Sequence, residues 1–363
     1  MANKKFSPAL TFFCCLLALI IGFIAAFALY TYLKRPAGGD VYVSGDLQIH
    51  FLELGNANTG DCVYIKAGET DILIDAGSRT NSTDTTSAYI NEYCTDGVLE
   101  YVIATHADQD HIAGFAGSNS SPSMFERYKI GTIIDFALTN KDTETYRTYV
   151  EKRDAAVAAG AVHYTALQCW NQTDGAQRVY EVSDGVEMEI LYNYYYENES
   201  KDENNYSVCL MFNQGDKHFL FTGDLEEDGE EQLVVYNQLP KVELFKAGHH
   251  GSKTSSNDCL LEVIQPQIVC VCCCAGTDEY TDAKENQFPT QAMIDRVSVY
   301  TDRVYVTSLG DESAESGYVS MNGNIVVTSN RQGVEVNCSN NNTLLKDTAW
   351  FIENRKMPSA WAS

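Results

Sequence analysis

The segment THADQDH, residues 105–111, places two histidines and two aspartates directly after the apolar run YVIA, residues 101–104. A strand that ends in a short loop of this composition would aim several side chains at one point. Imidazole nitrogen suits zinc and carboxylate oxygen suits harder ions such as manganese, so the mixture predicts a divalent cation site. The alternative is a polar loop that only starts a helix. With Asp110 as its N-cap, that loop would explain one carboxylate and neither histidine.

Three further apolar segments end in polar residues that could serve the same site. Residues 219–224 (FLFTGD) end in Asp224, although Gly-Asp is also ordinary turn chemistry. Residues 244–252 (LFKAGHHGS) contain two adjacent histidines, an arrangement that is rarely structural at the end of a strand. Residues 72–77 (ILIDAG) carry Asp75, which is better suited to orienting a ligand than to binding the ion itself.

From residue 47 onward, short apolar runs alternate with helical patterns. Strands are predicted at residues 49–54, 62–67, 71–75, 101–105, 130–136, 186–192, 207–212, 217–222, 242–246, 267–274, 304–307, 318–321 and 324–328. Helices are predicted at residues 87–94, 143–159, 226–238 and 290–300. Many strands with few helices indicate an α/β fold in which two packed sheets are covered by helices, a four-layer arrangement.

The composition describes a globular and strongly acidic protein. Of the 363 residues, 44% are hydrophobic, and the formal net charge is -25 at pH 7. A surface this acidic repels phosphate backbones and argues against a non-specific nucleic-acid binder. It does not exclude phosphate chemistry at a metal centre, where the ions dominate the local charge.

The N-terminal part of the chain is predicted to anchor it in a membrane. Residues 9–33 contain no charged side chain and are long enough to cross a bilayer as one helix. A cleaved signal peptide is the alternative, but no small-residue cleavage site stands out. The two lysines in the short tail of residues 1–8 favour a cytoplasmic tail and an extracytoplasmic catalytic domain, which makes the chain a single-pass membrane protein.

The remaining boundaries follow from composition. Residues 34–46 are interpreted as a linker, residues 47–338 as the catalytic domain, and residues 339–363 as a C-terminal tail whose role the sequence does not indicate. Of the twelve cysteines, Cys270 and Cys273 have CxxC spacing within the run CVCCC. Because no second such pair follows and the run is apolar, a buried strand is favoured over a metal cluster.

In this order the segments closely resemble the metallo-β-lactamase superfamily, and within it the hydrolase domain of the competence protein ComEC and its stand-alone relatives. The resemblance covers roughly residues 47–310 and implies an αββα sandwich with a metal site at one edge of the sheets. The matching motifs are FLELG (51–55) with Gly60-Asp61, LIDAG (73–77), THADQDHIAG (105–114), TGD (222–224) and HHGS (249–252).

The resemblance also implies a centre of one or two divalent ions, zinc or manganese. Its implied ligands are His106 and Asp108 for the first ion, Asp110 and His111 for the second ion, and Asp224 as a bridge between them. One of His249 and His250 would complete the second site, with His250 favoured, and the other would face the substrate. Asp110, His249 and His250 are predicted to be catalytic, with Asp110 orienting the nucleophile and His249 facing the substrate. Asp61 and Asp75 would orient the ligands.

Five residues are predicted to contact the substrate: Asn204, Ser207, Gly251, Ser252 and Lys253. For Lys253 a solvated lysine is an equal alternative. The common superfamily pattern has a histidine between the first loop and the Gly-Asp turn, and here only His163 and His218 fall in that interval. Neither suits the role, so the first ion is expected to be weakly held or missing. The family's Gly-x-Gly-Asp turn is expanded in residues 55–61, and Phe288-Pro289 replaces a late His-Pro.

A divalent ion lowers the pKa of bound water from about 16 to about 7, and two ions can also polarise a phosphoryl oxygen. The sequence therefore predicts a metal-dependent hydrolase, a phosphodiesterase or nuclease acting on nucleic acid, nucleotide or teichoic acid. One alternative is an enzyme like the phosphorylcholine esterases of teichoic acids, and another is a degenerate domain that binds metal without catalysis. Lactam hydrolysis is disfavoured by Asp108, where lactamases usually have histidine. No protein partner can be inferred.

Overall fold

The sixteen strands of residues 47–362, the part of the chain that the computed structural model describes, form two eight-stranded sheets. The first eight are β1 (Leu47–Phe51), β2 (Val63–Ala67), β3 (Thr70–Ile74), β4 (Val98–Ile103), β5 (Lys129–Asp135), β6 (Val162–Thr165), β7 (Val179–Ser183) and β8 (Val186–Ile190). The others are β9 (Leu210–Gln214), β10 (Lys217–Phe221), β11 (Leu244–Lys246), β12 (Ile268–Ala275), β13 (Val304–Gly310), β14 (Tyr318–Ser320), β15 (Ile325–Asn330) and β16 (Gly333–Cys338).

Each sheet joins antiparallel strands to a parallel set. The first has the order β16-β15-β1-β2-β3-β4-β5-β6, and the second has the order β14-β13-β12-β11-β10-β9-β8-β7. Strands β3 to β6 are parallel in the first sheet, as are β10 to β13 in the second. Because parallel strands end at the same edge, the segments that follow β3 and β4 are neighbours, and so are those that follow β10 and β11.

Nine α-helices of the described residues accompany the sheets. They are α1 (Ser82–Ile90), α2 (Gln109–Ala116), α3 (Met124–Arg127), α4 (Glu144–Ala158), α5 (Ala166–Asn171), α6 (Glu227–Tyr236), α7 (Asp258–Ile264), α8 (Gln291–Ser298) and α9 (Ala349–Asn354). Helices α1 to α5 contribute buried side chains to the core that contains the first sheet. Helices α6 to α9 contribute to a second core on the second sheet. The predicted four-layer αββα arrangement is confirmed.

Strand β12 serves both cores because side chains alternate between the faces of a strand. Cys270 and Cys272 join the core between the sheets, where Phe51 of β1 stacks on Phe221 of β10 at 6.3 Å. Cys273 joins the core under the helices. Cys270 and Cys273 therefore face opposite ways, and both are free thiols, which agrees with the interpretation of this run as a buried strand.

Among the predicted elements that differ from the structure in position, two are informative. The helix predicted at 87–94 is α1, which spans Ser82–Ile90, because its buried face is formed mainly by serine and threonine and gives the sequence no apolar stripe to show where the helix begins. The strand predicted at 207–212 is β9, which begins at Leu210. The preceding Val208 donates instead to Thr105 O of the other sheet, at 2.9 Å. This second difference has a consequence for the site, because it turns residues 204–208 toward residue 105.

At the C-terminal end, residues 339–362 pack against the protein, with Leu345, Phe351 and Trp361 buried in the second core. At the other end, the predicted tail (1–8), membrane anchor (9–33) and linker (34–46) lie outside the described residues. Between residues 47 and 362, no helix is both long and apolar enough to cross a membrane.

Candidate metal centre

A buried cluster of two imidazoles and two carboxylates lies where the segments after β1, β4, β10 and β11 meet. It consists of Asp61, His111, Asp224 and His250, none more than 1% exposed, whose ligand atoms all lie within 4.8 Å of one another. The Nε2 atoms of His111 and His250 are 3.3 Å apart, and Asp224 Oδ2 lies 3.1 Å from each. Two imidazole nitrogens and a carboxylate oxygen that converge in this way are a donor set for a divalent ion.

Asp110 extends the cluster toward solvent. Its Oδ2 lies 3.2 Å from His250 Nε2 and accepts a hydrogen bond from the Tyr280 hydroxyl. Burial would raise the pKa of Asp110, but the hydrogen bond to His250 and the charges of His111 and His250 outweigh burial and lower the pKa well below its usual range. Asp110 is therefore an ionised carboxylate beside the converging donors.

The other ring nitrogen of each clustered histidine is occupied by an acceptor. Asp75 Oδ2 lies 2.7 Å from His111 Nδ1, and the carbonyl of Cys272 lies 2.9 Å from His250 Nδ1. A proton held on Nδ1 by these acceptors leaves each Nε2 lone pair directed into the cluster, as metal ligation requires. Asp75 also accepts from Thr105 N and Oγ1, both at 2.8 Å.

Negative charge dominates this cluster. Burial would lower the pKa values of His111 and His250, but nearby carboxylates, Asp224 first, outweigh burial and raise both. The field that holds protons on these rings would equally favour a divalent cation. The residues present therefore fit a metal ion.

The first predicted metal position is less complete. His106 is fully buried, its Nε2 lies 3.6 Å from Asp108 Oδ2, and within residues 47–362 this nitrogen has no hydrogen-bond partner. A buried nitrogen without a partner is unusual and fits a ligand role. The two histidines considered for a third ligand lie elsewhere: His163 Nε2 is 2.7 Å from Asp135, and His218 Nδ1 is 2.7 Å from Asn213.

Two lysines that the sequence reasoning did not single out contact the predicted ligands. Lys246, at the end of β11, is 2% exposed and forms ion pairs with Asp61 and, at 3.6 Å, with Asp224 Oδ1. Burial would lower the pKa of Lys246, but those two carboxylates outweigh it and raise the pKa. Lys141, in the loop after β5, forms an ion pair with Asp108.

The turn that presents His249 and His250 is held by a buried glutamate of α6. Both histidines have positive φ, 46° and 53°. The carboxylate of Glu230 accepts hydrogen bonds from Ser256 N (2.6 Å), Asn257 N (2.8 Å) and Asn257 Nδ2 (2.9 Å), and Ser256 Oγ in turn accepts from Gly248 N at 3.1 Å. Burial raises the pKa of Glu230 to about 7.

A cavity of about 320 Å³ opens on the cluster. Its lining residues are Arg79, Asp108, Gln109, Asp110, Asn204, Asp224, His249, Glu279 and Tyr280. Arg79 forms an ion pair with Glu279 at 2.7 Å across its mouth. His249 Nε2 lies 4.0 Å from Asp224 Oδ2, and its Nδ1 lies 3.4 Å from Glu226 Oε1. The lining therefore contains carboxylates of the predicted metal centre together with the guanidinium of Arg79.

Of the five residues predicted to contact the substrate, only Asn204 lines this cavity. Ser207 is buried, and its Oγ accepts from Asp224 N at 3.0 Å. The carbonyl of Gly251 accepts from Thr290 N at 2.9 Å. Ser252 Oγ pairs with Thr254 Oγ1 at 3.0 Å, and Lys253 donates to Asn286 at 3.0 Å. Residues 251–253 are not among those lining this cavity.

Comparison with known proteins agrees with the resemblance read from the motifs. Residues 55–118, which include β2 to β4 and α2, match the sequence model of the Metallo-beta-lactamase superfamily. Recombination protein 2 of Haemophilus influenzae is 24% identical over 277 residues, which are 76% of this chain and 29% of that protein. Competence protein ComA of Neisseria gonorrhoeae is 26% identical over 257 residues, 70% of this chain and 30% of that protein.

The chain thus spans less than a third of the length of either relative. Among solved structures, the metallo-beta-lactamase fold protein YhfI of Bacillus subtilis aligns with a TM-score of 0.43 and 10% identity, covering 73% of this chain and 97% of YhfI. The predicted resemblance to the metallo-β-lactamase superfamily and its competence-protein members is confirmed.

Proposed function

We propose that this chain, a superfamily hydrolase related to competence proteins, is a phosphodiesterase that requires divalent metal ions. The observation that carries the proposal is the convergence of His111 Nε2, His250 Nε2 and Asp224 Oδ2 at 3.1 to 3.3 Å beneath an open cavity. A divalent ion bound there would lower the pKa of water and polarise a phosphoryl oxygen.

The chain's own residues supply the remaining steps. Asp110 would orient the attacking water by accepting a hydrogen bond at the oxygen that Tyr280 now contacts. Protonated His249 would donate a proton from Nε2 to the leaving oxygen, while Glu226, at 3.4 Å from Nδ1, would stabilise the charged ring. Arg79 would bind a non-bridging phosphate oxygen at the cavity mouth.

Nucleic acid or a nucleotide is the substrate class that the relatives support, because two of them carry the names recombination protein and competence protein. The net charge of -25 favours a short or single-stranded substrate brought to the metal centre over a duplex bound along the surface. The same proposal includes a membrane anchor at residues 9–33, with the catalytic domain outside the cell.

A second candidate, hydrolysis of a phosphodiester that carries a cationic group, such as a phosphorylcholine-bearing teichoic acid, is favoured by a neighbouring cavity. This cavity, of about 670 Å³, shares Glu279 with the first and contains Trp350. Its lining carboxylates are Asp278, Glu279, Asp282, Asp311 and Glu312. Carboxylates and an indole ring are groups that attract quaternary ammonium ions.

The test is hydrolysis by the purified full-length chain, dialysed against chelator and then supplied with Mn²⁺ or Zn²⁺. The substrates are bis-p-nitrophenyl phosphate, single-stranded DNA, cyclic dinucleotides and p-nitrophenyl phosphorylcholine. Metal-dependent cleavage of the first three supports the main proposal, whereas preference for the last supports the second candidate. Less than one ion bound per chain, with no cleavage of any substrate, would reject both and leave a degenerate domain.

Anchoring has a separate test. After an alkaline carbonate wash, the full-length chain is expected to stay with the membranes, while a variant without residues 1–46 is expected in the soluble fraction. Release of the full-length chain would reject the anchor. Protease added to intact cells should cleave the catalytic domain if it lies outside, and full protection would reject that orientation.

A further inference from the structure

We infer that Lys141 restricts this centre to one tightly held divalent ion, bound between Asp110, His111, Asp224 and His250. This inference rests on the proposed function, because it concerns the same centre. Lys141 neutralises Asp108, a carboxylate that the other metal position, beside His106, would need.

Lys246 and the two imidazoles contact different oxygens of Asp224. Oδ2 faces the paired imidazoles at 3.1 Å, whereas Oδ1 faces the Lys246 ammonium at 3.6 Å. The ammonium also donates to the carbonyls of Gly223 and Ala247, at 3.3 and 3.1 Å, and forms an ion pair with Asp61. With four partners and 2% exposure, Lys246 is fixed in place. Because Lys246 contacts Asp61 and Asp224 within the cluster itself, its charge does not distinguish between the two metal positions.

Lys141, by contrast, is paired with Asp108 beside His106, and its position is also fixed. The buried carboxylate of Glu203 accepts from Thr139 Oγ1 at 2.7 Å, from Asn140 N at 2.6 Å and from Ala107 N at 3.2 Å. Glu203 therefore ties the loop that carries Lys141 to the loop that carries Asp108. The Lys141–Asp108 ion pair follows from that connection.

Charge decides which position fills first. The position between His111 and His250 has Asp110 and one oxygen of Asp224, neither in contact with Lys141. At the position beside His106, Asp108 Oδ2 lies 3.6 Å from His106 Nε2, and this carboxylate is already paired with Lys141. Since one unit charge within a few ångströms of a divalent ion changes binding by at least about tenfold even at an effective dielectric constant near 20, the first of these positions should fill alone at low metal concentration.

The test is titration of the full-length, chelator-treated chain with Mn²⁺, with free Mn²⁺ followed by electron paramagnetic resonance. The wild type should bind one ion tightly and a second at least about tenfold more weakly. Lys141→Met should tighten the second ion by about tenfold, and Lys141→Arg should behave as wild type. Lys152→Met is the matched control, because Lys152 pairs with Glu126 at 2.7 Å and contacts no predicted ligand.

Two equally tight ions in the wild type, or a second ion that binds Lys141→Met no more tightly, would overturn the inference. Cleavage of bis-p-nitrophenyl phosphate is measured in the same samples. Cleavage with two equal ions rejects only this inference, whereas one bound ion without cleavage rejects only the proposed function.

Discussion

Asp75 Oδ2 lies 2.7 Å from His111 Nδ1, and the same carboxylate receives two hydrogen bonds from Thr105. Asp75 reaches this position because its backbone adopts φ +57° directly after β3, a conformation that costs free energy in a residue with a side chain. Through this contact, a residue at the end of β3 orients the ring of His111, which lies in the segment after β4. It sets which nitrogen of His111 faces the cluster.

Asp75→Asn is therefore expected to weaken binding of the first Mn²⁺ by about 10- to 100-fold, because an amide that accepts from Thr105 no longer accepts well from His111. Calorimetric titration of the chelator-treated chain measures the affinity. Asp71→Asn, at the start of the same strand and bonded to Tyr64 and Lys66, is the control for a general effect on β3. Equal affinity in wild type and Asp75→Asn would show that His111 does not depend on this contact.

Removal of a converging donor should abolish turnover without unfolding the chain. His111→Ala and Asp224→Ala are each expected to lower metal-dependent cleavage by at least about 100-fold, because each removes a ligand and its charge. Circular dichroism checks the fold, and the matched control is His163→Ala, since His163 bonds to Asp135 away from the cluster. Activity retained in either ligand variant would refute the assigned roles.

The loop of residues 105–111 could be found from sequence because its ligand-type residues are adjacent and follow an apolar run. The turn at Asp224 and the pair His249-His250 could be found for the same reason. The sequence did not reveal that these segments lie together, because their contact depends on which strands pair in two sheets. The resemblance to a known family supplied that relationship in advance.

Lys246, Glu203 and Glu230 were missed because their roles depend on burial, and Lys141 was missed because its partner Asp108 lies on a different loop. A glutamate in a polar loop or on a helix has no local feature that distinguishes a buried anchor from a solvated side chain. Lys246 did leave a signal, since it ends the apolar run LF just before the histidine turn. A charged residue at the end of a buried strand beside predicted ligands is a reason to expect an ion pair there.

Glu230→Gln is expected to reduce the free energy of unfolding by about 1–3 kcal/mol, because the amide presents a donor to one of the backbone N–H groups of residues 256 and 257 and leaves it unsatisfied. Urea unfolding in chelator measures this change, with Glu231→Gln on the same helix as control. Ser256 also accepts a hydrogen bond from Gly248 N, which precedes His249 and His250. Mn²⁺ affinity should therefore fall in Glu230→Gln as well. Unchanged stability would mean that residues 256 and 257 keep the turn of His249 and His250 in place without Glu230.

His50 gives a pH dependence of stability that is independent of the metal centre. It is fully buried on β1, where its Nδ1 lies 2.8 Å from the Tyr89 hydroxyl and its ring centroid lies 4.6 Å from that of Tyr93. Burial lowers the pKa of His50 from 6.5 to about 4. The folded protein therefore excludes a proton that the unfolded chain takes up.

Because the unfolded chain binds more protons between pH 6.5 and pH 4, stability from His50 is fully present above pH 6.5 and is lost as the pH falls to about 4. His50→Phe keeps an aromatic ring without this titration. Relative to that variant, the wild type should lose about 3 kcal/mol of unfolding free energy between pH 7 and pH 4, measured by urea unfolding in chelator. Tyr93→Phe, which alters the same ring cluster but keeps His50, should retain the wild-type slope. Parallel pH profiles for the wild type and His50→Phe would show that His50 does not titrate in this window.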